Sequence, residues 1–168
     1  LSPVQFRNRR LVETVRDVLA ASGLDPRRLE LEITESVLLA DSAANLATLH
    51  ALRAMGIRIA MDDFGTGYSS LGYLRSFPFD KIKIDRSFIS QIESNHQAAA
   101  IVRSVLGLGH GLQMRVIVEG VETQAELAFL EAENCRSLQG YLIGRPAAIE
   151  TFSALTMGGT IAEERLVA

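Results

Sequence analysis

Five residues, Ile57-Arg58-Ile59-Ala60-Met61, form an apolar run that ends against two adjacent carboxylates, Asp62 and Asp63. A run this short, rich in β-branched residues, reads as a buried strand. Packing offers no reason to set two like charges side by side at its end. Gly65 and Gly67 follow at once and let the backbone turn sharply. A single Asp in such a place commonly caps the next helix. A pair is also what a hard divalent cation selects, because carboxylate oxygens are its preferred ligands.

Polar groups at strand ends recur along the chain. Leu29 to Glu35 alternates with period two, setting Leu29, Leu31 and Ile33 on one face and Glu30, Glu32 and Thr34 on the other. Lys81 to Asp85 alternates in the same way, with Ile82 and Ile84 facing one side and Lys81, Lys83 and Asp85 the other. Met114 to Val118 reads as a strand ending in Glu119-Gly120-Val121-Glu122. Leu138 leads into Gln139-Gly140-Tyr141-Leu142-Ile143-Gly144, a last strand or strand end. Acidic residues on a buried strand face cost several kcal/mol unless paired or metal-bound. An edge strand would expose that face to water, but a parallel sheet covered on both sides leaves no such face.

Helices are expected between the strands. Residues 4–22 carry a stripe of Phe6, Leu11, Val15, Val18 and Leu19, with Gly23 as the stop. A second helix runs from Asp41 or Ser42 to Met55 with Leu46, Leu49 and Leu52 inward. A short one covers 69–75, one or two helical turns follow over 86–92, and a longer helix covers 95–109. Thr123 and Glu126 form a capping box for a helix reaching about Asn134, and a terminal helix is expected over 148–157. Strand and helix in alternation mean parallel strands with covering helices. No GxGxxG follows the first strand, and Gly65-Thr66-Gly67 lacks the lysine of a phosphate loop. A barrel is favoured over an open sheet. Its active site would lie at the C-terminal strand ends, where Glu32, Asp62, Asp63, Lys83, Glu119 and Gln139 would converge. So many charged or amide groups at successive strand ends favour a metal role for Asp62 and Asp63 over capping.

Composition removes several other classes. A length of 168 residues suits one domain. Hydrophobic content of 48% with 22% charged residues is that of an ordinary globular protein, and no apolar run approaches the ~20 residues of a membrane span. A net charge of −3 argues against DNA or a general nucleic-acid partner, while leaving room for a small anion held through metal. The Arg7-Asn8-Arg9-Arg10 cluster reads as a solvated helix face. The start shows no secretory pattern. Cys135 is the single cysteine, so no internal disulfide can form, and a reducing, cytoplasmic location is expected. His50, His96 and His110 lack zinc-ligand spacing.

Taken together, Glu32-Ile33-Thr34-Glu35, the Asp62 to Leu71 loop, Lys83-Ile84-Asp85, Glu119-Gly120-Val121-Glu122, and Gln139-Gly140-Tyr141 with Gly144-Arg145-Pro146 resemble the EAL domains that act as cyclic-di-GMP phosphodiesterases. Each motif is weak alone; five in order across most of the chain are specific. The resemblance implies a modified TIM barrel and an α/β fold class. It implies two Mg²⁺ or Mn²⁺ ions. Glu32 would bind the first, Asp62 would bridge both, and Asp63 with Glu119 would hold the second. Lys83 would orient the attacking water, with Gln139 and Asp85 positioning water or substrate. Glu35, Gly65, Gly67 and Glu122 would stabilise the loops. The implied reaction is hydrolysis of cyclic-di-GMP to linear diguanylate in bacterial second-messenger signalling, the chemistry behind biofilm control. Family members commonly dimerise, and Tyr68, Leu71, Tyr73, Leu74 and Phe77 are compatible with such an interface. Fusion to regulatory or cyclase domains, in a parent that is sometimes membrane-anchored, belongs to the same expectation, with no membrane contact by this segment.

The Glu-Ala-Leu motif that names the family does not occur in the chain, nor does the Asn that precedes Leu1-Ser2 in the family. Both would bind the first metal. TIM barrels typically need about 250 residues. Residues 1–168 are therefore expected to be a single EAL domain truncated at its N-terminus, with about five of eight strands and negligible hydrolysis on their own. A non-catalytic module that binds cyclic-di-GMP as a sensor is the alternative. An unrelated metal-dependent barrel, such as an aldolase, is a more distant one.

Overall fold

The computed structural model describes residues 1–39, 42–66, 74, 76–77 and 79–152 of the 168. The chain divides into two compact units, Leu1–Lys83 with Leu112–Met114, and Ile84–Gly111 with the described residues from Arg115 onward.

The first unit begins with α1, Pro3–Phe6, capped by Ser2, whose hydroxyl accepts from the Gln5 N–H while the Gln5 side chain accepts from the Ser2 N–H. The single helix expected over 4–22 is broken, and α2, Leu11–Ser22, starts afresh. Asn8 is the reason. Its Oδ1 accepts the Arg10 N–H at 3.0 Å and its carbonyl accepts the Leu11 N–H at 2.9 Å, a local turn that competes with helix. Phe6, Leu11 and Leu19 are buried as the stripe requires, but Val18 is 59% exposed. Gly23, in the left-handed region at φ 68°, ends α2 by donating to the Leu19 carbonyl.

Strand β1, Glu30–Thr34, pairs in parallel with β2, Arg58–Phe64, in a register that sets Glu32 beside Ala60 and Thr34 beside Asp62. Between them lie α3, Glu35–Leu39, which periodicity did not suggest, and α4, Ser42–Ala54. The buried Asn45 ties the two helices together, its Nδ2 donating to the Val37 carbonyl at 2.6 Å. Ile33, Leu49, Leu52, Ile59, Ala60 and Met61 form the core here. Three consecutive buried residues in β2 mean that both faces are covered, as in a central parallel strand. Strand β3, Lys81–Ile84, follows in the order β1-β2-β3. Asp80 sets its start, donating its N–H to the Ile59 carbonyl and accepting the Ile59 N–H on Oδ2, both at 2.9 Å. The helix expected over 69–75 lies almost wholly outside the described residues, as do Gly67, Tyr68, Leu71 and Tyr73.

The second unit runs from the end of β3 through a 3₁₀ turn, Arg86–Phe88, into α5, His96–Gly111. Strand β4, Arg115–Val118, and α6, Gln124–Ala132, follow. Helix α5 opens on Asn95, whose Oδ1 accepts the Ala98 N–H. The capping box of α6 forms as its sequence requires: Thr123 Oγ1 accepts the Glu126 N–H, and Glu126 Oε2 accepts from Thr123 and Glu122. No strand forms over 139–144; the chain makes one parallel bridge, Val118 with Leu138, and then turns. Gly140 explains the stop. A Cβ there would stand 2.1 Å from the Val121 carbonyl oxygen, and the Ile143 and Gly144 N–H groups fold back onto the Gly140 carbonyl. The described residues thus hold four strands rather than five. The expected terminal helix is a 3₁₀ turn over Ile149–Phe152, and the rest of its range lies outside the described residues.

Candidate functional site

In the first unit, three adjacent strands bring Glu32, Asp62 and Lys83 together. Lys83 is 7% exposed, and its Nζ lies 2.7 Å from Glu32 Oε1 and 3.1 Å from Asp62 Oδ1. A buried ammonium is tolerated only with such partners. Ala60 stands at the Glu32 register and carries nothing beyond Cβ, so no long side chain of β2 occupies the space between β1 and β3. Lys81 and Glu30 repeat the pairing two residues earlier, both half-buried. The charged strand face that the sequence makes costly is therefore satisfied by lysines two strands away.

Asp62 Oδ1 is buried and accepts no hydrogen bond among the described residues, although Lys83 is its Coulombic neighbour. The Lys83 ammonium offsets its desolvation, and a buried carboxylate oxygen with no hydrogen bond is one that a hard cation could also take as ligand. Asp63 follows with φ 53°, in the left-handed region that Asp and Asn tolerate better than other side chains. The turn after it is held from three sides. Thr66 donates both its N–H (3.2 Å) and its Oγ1 hydroxyl (2.9 Å) to the Asp63 carbonyl, and Gly65, at φ 95°, donates its N–H to Glu35 Oε1 at 3.2 Å. Glu35 is 8% exposed and sits where β1 gives way to α3. Gly67 lies outside the described residues.

The second unit carries the remaining candidates. Glu119 follows β4, and its N–H donates to the Ile84 carbonyl at 3.0 Å. Asp85 caps the 3₁₀ turn, accepting the Ser87 N–H on Oδ1 at 2.9 Å; hydrogen bonding from Ser87 holds its carboxyl below the usual range, against desolvation that raises it. Glu122 pairs with Arg86 through both oxygens, Nη1 to Oε1 at 2.7 Å and Nη2 to Oε2 at 3.0 Å. Gln139 is exposed, and its backbone is tied to β4 by donating to the Val118 carbonyl and accepting the Val121 N–H. The sequence reading passed over two residues that the structure makes prominent, Asn45 and Arg86. The polar run Asp85-Arg86-Ser87 signals a cap, but nothing local to it signals a partner 36 residues away.

Residues 1–146 match the family model described as the EAL domain. The bifunctional diguanylate cyclase/cyclic di-GMP phosphodiesterase MucR of Pseudomonas aeruginosa is 46% identical over 154 residues, covering 92% of this chain and 22% of MucR. Among solved structures, a PaMucR phosphodiesterase in complex with c-di-GMP superposes with a TM-score of 0.85 at 46% identity, covering 90% of this chain and 62% of that one. A manganese and cyclic-di-GMP complex of Klebsiella pneumoniae BlrP1 gives a TM-score of 0.79 at 36% identity, covering 85% and 36%. This chain spans about a fifth of the length of the curated relatives it matches. Its α/β class and parallel strands are those of the TIM-like barrel of these neighbours. On a family match over most of its length and a shared fold at 46% identity, the chain belongs to the EAL domain family.

Proposed function

We infer that this chain is part of a single EAL domain that hydrolyses cyclic-di-GMP to linear diguanylate with the help of two divalent cations, Mg²⁺ or Mn²⁺. One observation carries the reading: Glu32 and Asp62 converge on the buried Lys83, at 2.7 and 3.1 Å, and the buried Oδ1 of Asp62 accepts no hydrogen bond among the described residues. The carboxylate donor set fits a hard cation. Glu32 and Asp62 would hold one ion, with Asp62 also reaching the second, held by Asp63 and Glu119. When bound, the ions would supply a more acidic water and stabilise the attacking and leaving oxygens of a phosphodiester.

The residues themselves have separable tasks. Lys83, drawn from its carboxylate partners, would hydrogen-bond the attacking water and fix its direction. Gln139 and Asp85 would position water or substrate. Glu35, through the Gly65 N–H, holds the turn after Asp63, and Glu122 holds the segment after Glu119. Support for the substrate comes from the solved neighbours, whose complexes contain cyclic-di-GMP, one of them with manganese. The same reading places the segment in the cytoplasm, as part of a longer signalling protein that works as a homodimer. No helix among the described residues is long and apolar enough to cross a membrane.

Chromatography of cyclic-di-GMP incubated with Mn²⁺ or Mg²⁺ and a version of the protein extended upstream, beside residues 1–168 alone, tests this. Linear diguanylate should accumulate with the extended version and metal and not with a chelator, while residues 1–168 alone should give negligible product. Binding of the dinucleotide without product would favour a sensory module instead, and neither binding nor product would overturn the substrate assignment.

A further inference from the structure

Arg86 lies on no strand end and belongs to none of the expected catalytic motifs, yet its side chain engages the segment that carries Glu119 at two points. Its guanidinium grips Glu122 in a two-pronged pair, at 2.7 and 3.0 Å. Its aliphatic stem lies over Gly120, where an added Cβ would stand 2.5 Å from both Arg86 Cβ and Cγ. Gly120 also has φ 72°, a conformation that strains any L side chain. The segment is anchored at either end of this contact. Before Gly120, the Glu119 N–H donates to the Ile84 carbonyl, two residues from Arg86 itself. After it, the Glu122 N–H donates to the buried Glu126 at 2.7 Å. With its backbone tied on one side and the next residue pressed under the arginine stem, Glu119 has little freedom to choose another direction.

We propose that Arg86 is a positioning residue for Glu119, acting through Gly120 and Glu122 to hold that carboxylate in its metal-binding geometry. The proposal rests on the two-cation reading above. A bidentate guanidinium–carboxylate pair fixes orientation as well as distance, which an ammonium at the same place does not. The glycine is the complement of the arginine stem: the turn can pass beneath Arg86 only because position 120 has no side chain.

The test, on a version of the protein extended upstream, measures Mn²⁺ binding by calorimetry, with cyclic-di-GMP hydrolysis and metal-free thermal unfolding in parallel. Outer-sphere partners of metal ligands usually contribute roughly ten- to a hundredfold in affinity. Arg86→Ala should weaken Mn²⁺ binding by about tenfold or more, with a proportionate rise in the Mn²⁺ needed for half-maximal hydrolysis. Arg86→Lys should restore only part. Glu122→Gln, which keeps side-chain volume, should reproduce the defect, and the exchange Arg86→Glu with Glu122→Arg should relieve it. Should Arg86→Ala fail to fold, Arg86→Lys and Glu122→Gln carry the same measurement. Unchanged Mn²⁺ affinity in folded Arg86 and Glu122 variants would overturn the positioning role while leaving the two-cation reading intact. Absence of Mn²⁺ binding by the unaltered protein would overturn that reading itself. A lowered melting temperature with unaltered metal affinity would reduce Arg86 to a structural clamp and equally sink the proposal.

Discussion

Lys83 Nζ lies 3.1 Å from Asp62 Oδ1, a buried carboxylate oxygen that accepts no hydrogen bond among the described residues. The same ammonium is 2.7 Å from Glu32. A protein-borne cation therefore sits among carboxylates that are proposed above as ligands of divalent ions. Lys83→Met should leave Glu32 and Asp62 uncompensated and lower metal-free stability. Breaking a buried pair costs up to about 3 kcal/mol or more, but Glu32 is half in solvent, which screens its share, so about 1–2 kcal/mol is expected. Urea denaturation with and without Mn²⁺ checks it. Metal should recover most of the loss, and an equal loss under both conditions would contradict the picture.

Asp63 combines a left-handed backbone with a proposed ligand role. Asn accepts that conformation nearly as well as Asp, whereas Ala does so at a cost of about 1–2 kcal/mol. In a version extended upstream, Asp63→Asn should therefore abolish hydrolysis with unfolding unchanged, and Asp63→Ala should lose both activity and about 1 kcal/mol of stability. Loss of the fold in Asp63→Asn would make the residue structural.

Glu126 is 6% exposed and accepts the Glu122 and Thr123 N–H groups at 2.7 and 2.9 Å. Glu126→Ala leaves those donors unsatisfied at the start of α6. A cost of about 2 kcal/mol is expected from the lost cap and the stranded donors. Glu126→Gln, which can still accept, should cost less. Thermal melts of the two variants rank them.

Asp85 has its carboxyl held below the usual range by hydrogen bonding from Ser87. A folded pKa below the unfolded value means that Asp85 stabilises the fold above the unfolded carboxylate pKa. That contribution is lost as pH falls through the folded value. Asp85→Asn keeps a capping oxygen but cannot be protonated. It should lose the charge-dependent part of the stability at neutral pH and flatten the acid limb, so that the two proteins converge as pH falls. Urea midpoints from neutral pH down to about pH 2 would show the same acid slope in both proteins if the cap carried no charge linkage.

Much of the fold was legible in the sequence because its signals are short-ranged. Alternation marked β1 and β3, the apolar run marked β2, and Thr123 with Glu126 announced the start of α6. What escaped detection was either competition between local signals or contact at long separation. Asn8 diverts its own backbone and breaks a helix that the apolar stripe supports. Gly140 ends a strand because the Val121 backbone occupies the space beside it, and Val121 lies 19 positions earlier. Asn45 is buried against the Val37 carbonyl on the preceding helix, a partner that no pattern around it signals.

Alone, then, the sequence determined the class of fold, the alternation of strand and helix, the family, and which acidic and basic residues lie on or next to the strands. Each follows from periodicity and motif order, properties readable within a few residues. Tertiary structure decided how the charges are compensated. It pairs Lys83 with Glu32 and Asp62, Lys81 with Glu30, and Arg86 with Glu122, and leaves one buried oxygen of Asp62 without a hydrogen bond among the described residues. Those pairings depend on strand register and on glycine or alanine leaving room between residues far apart in the chain. No local pattern encodes them.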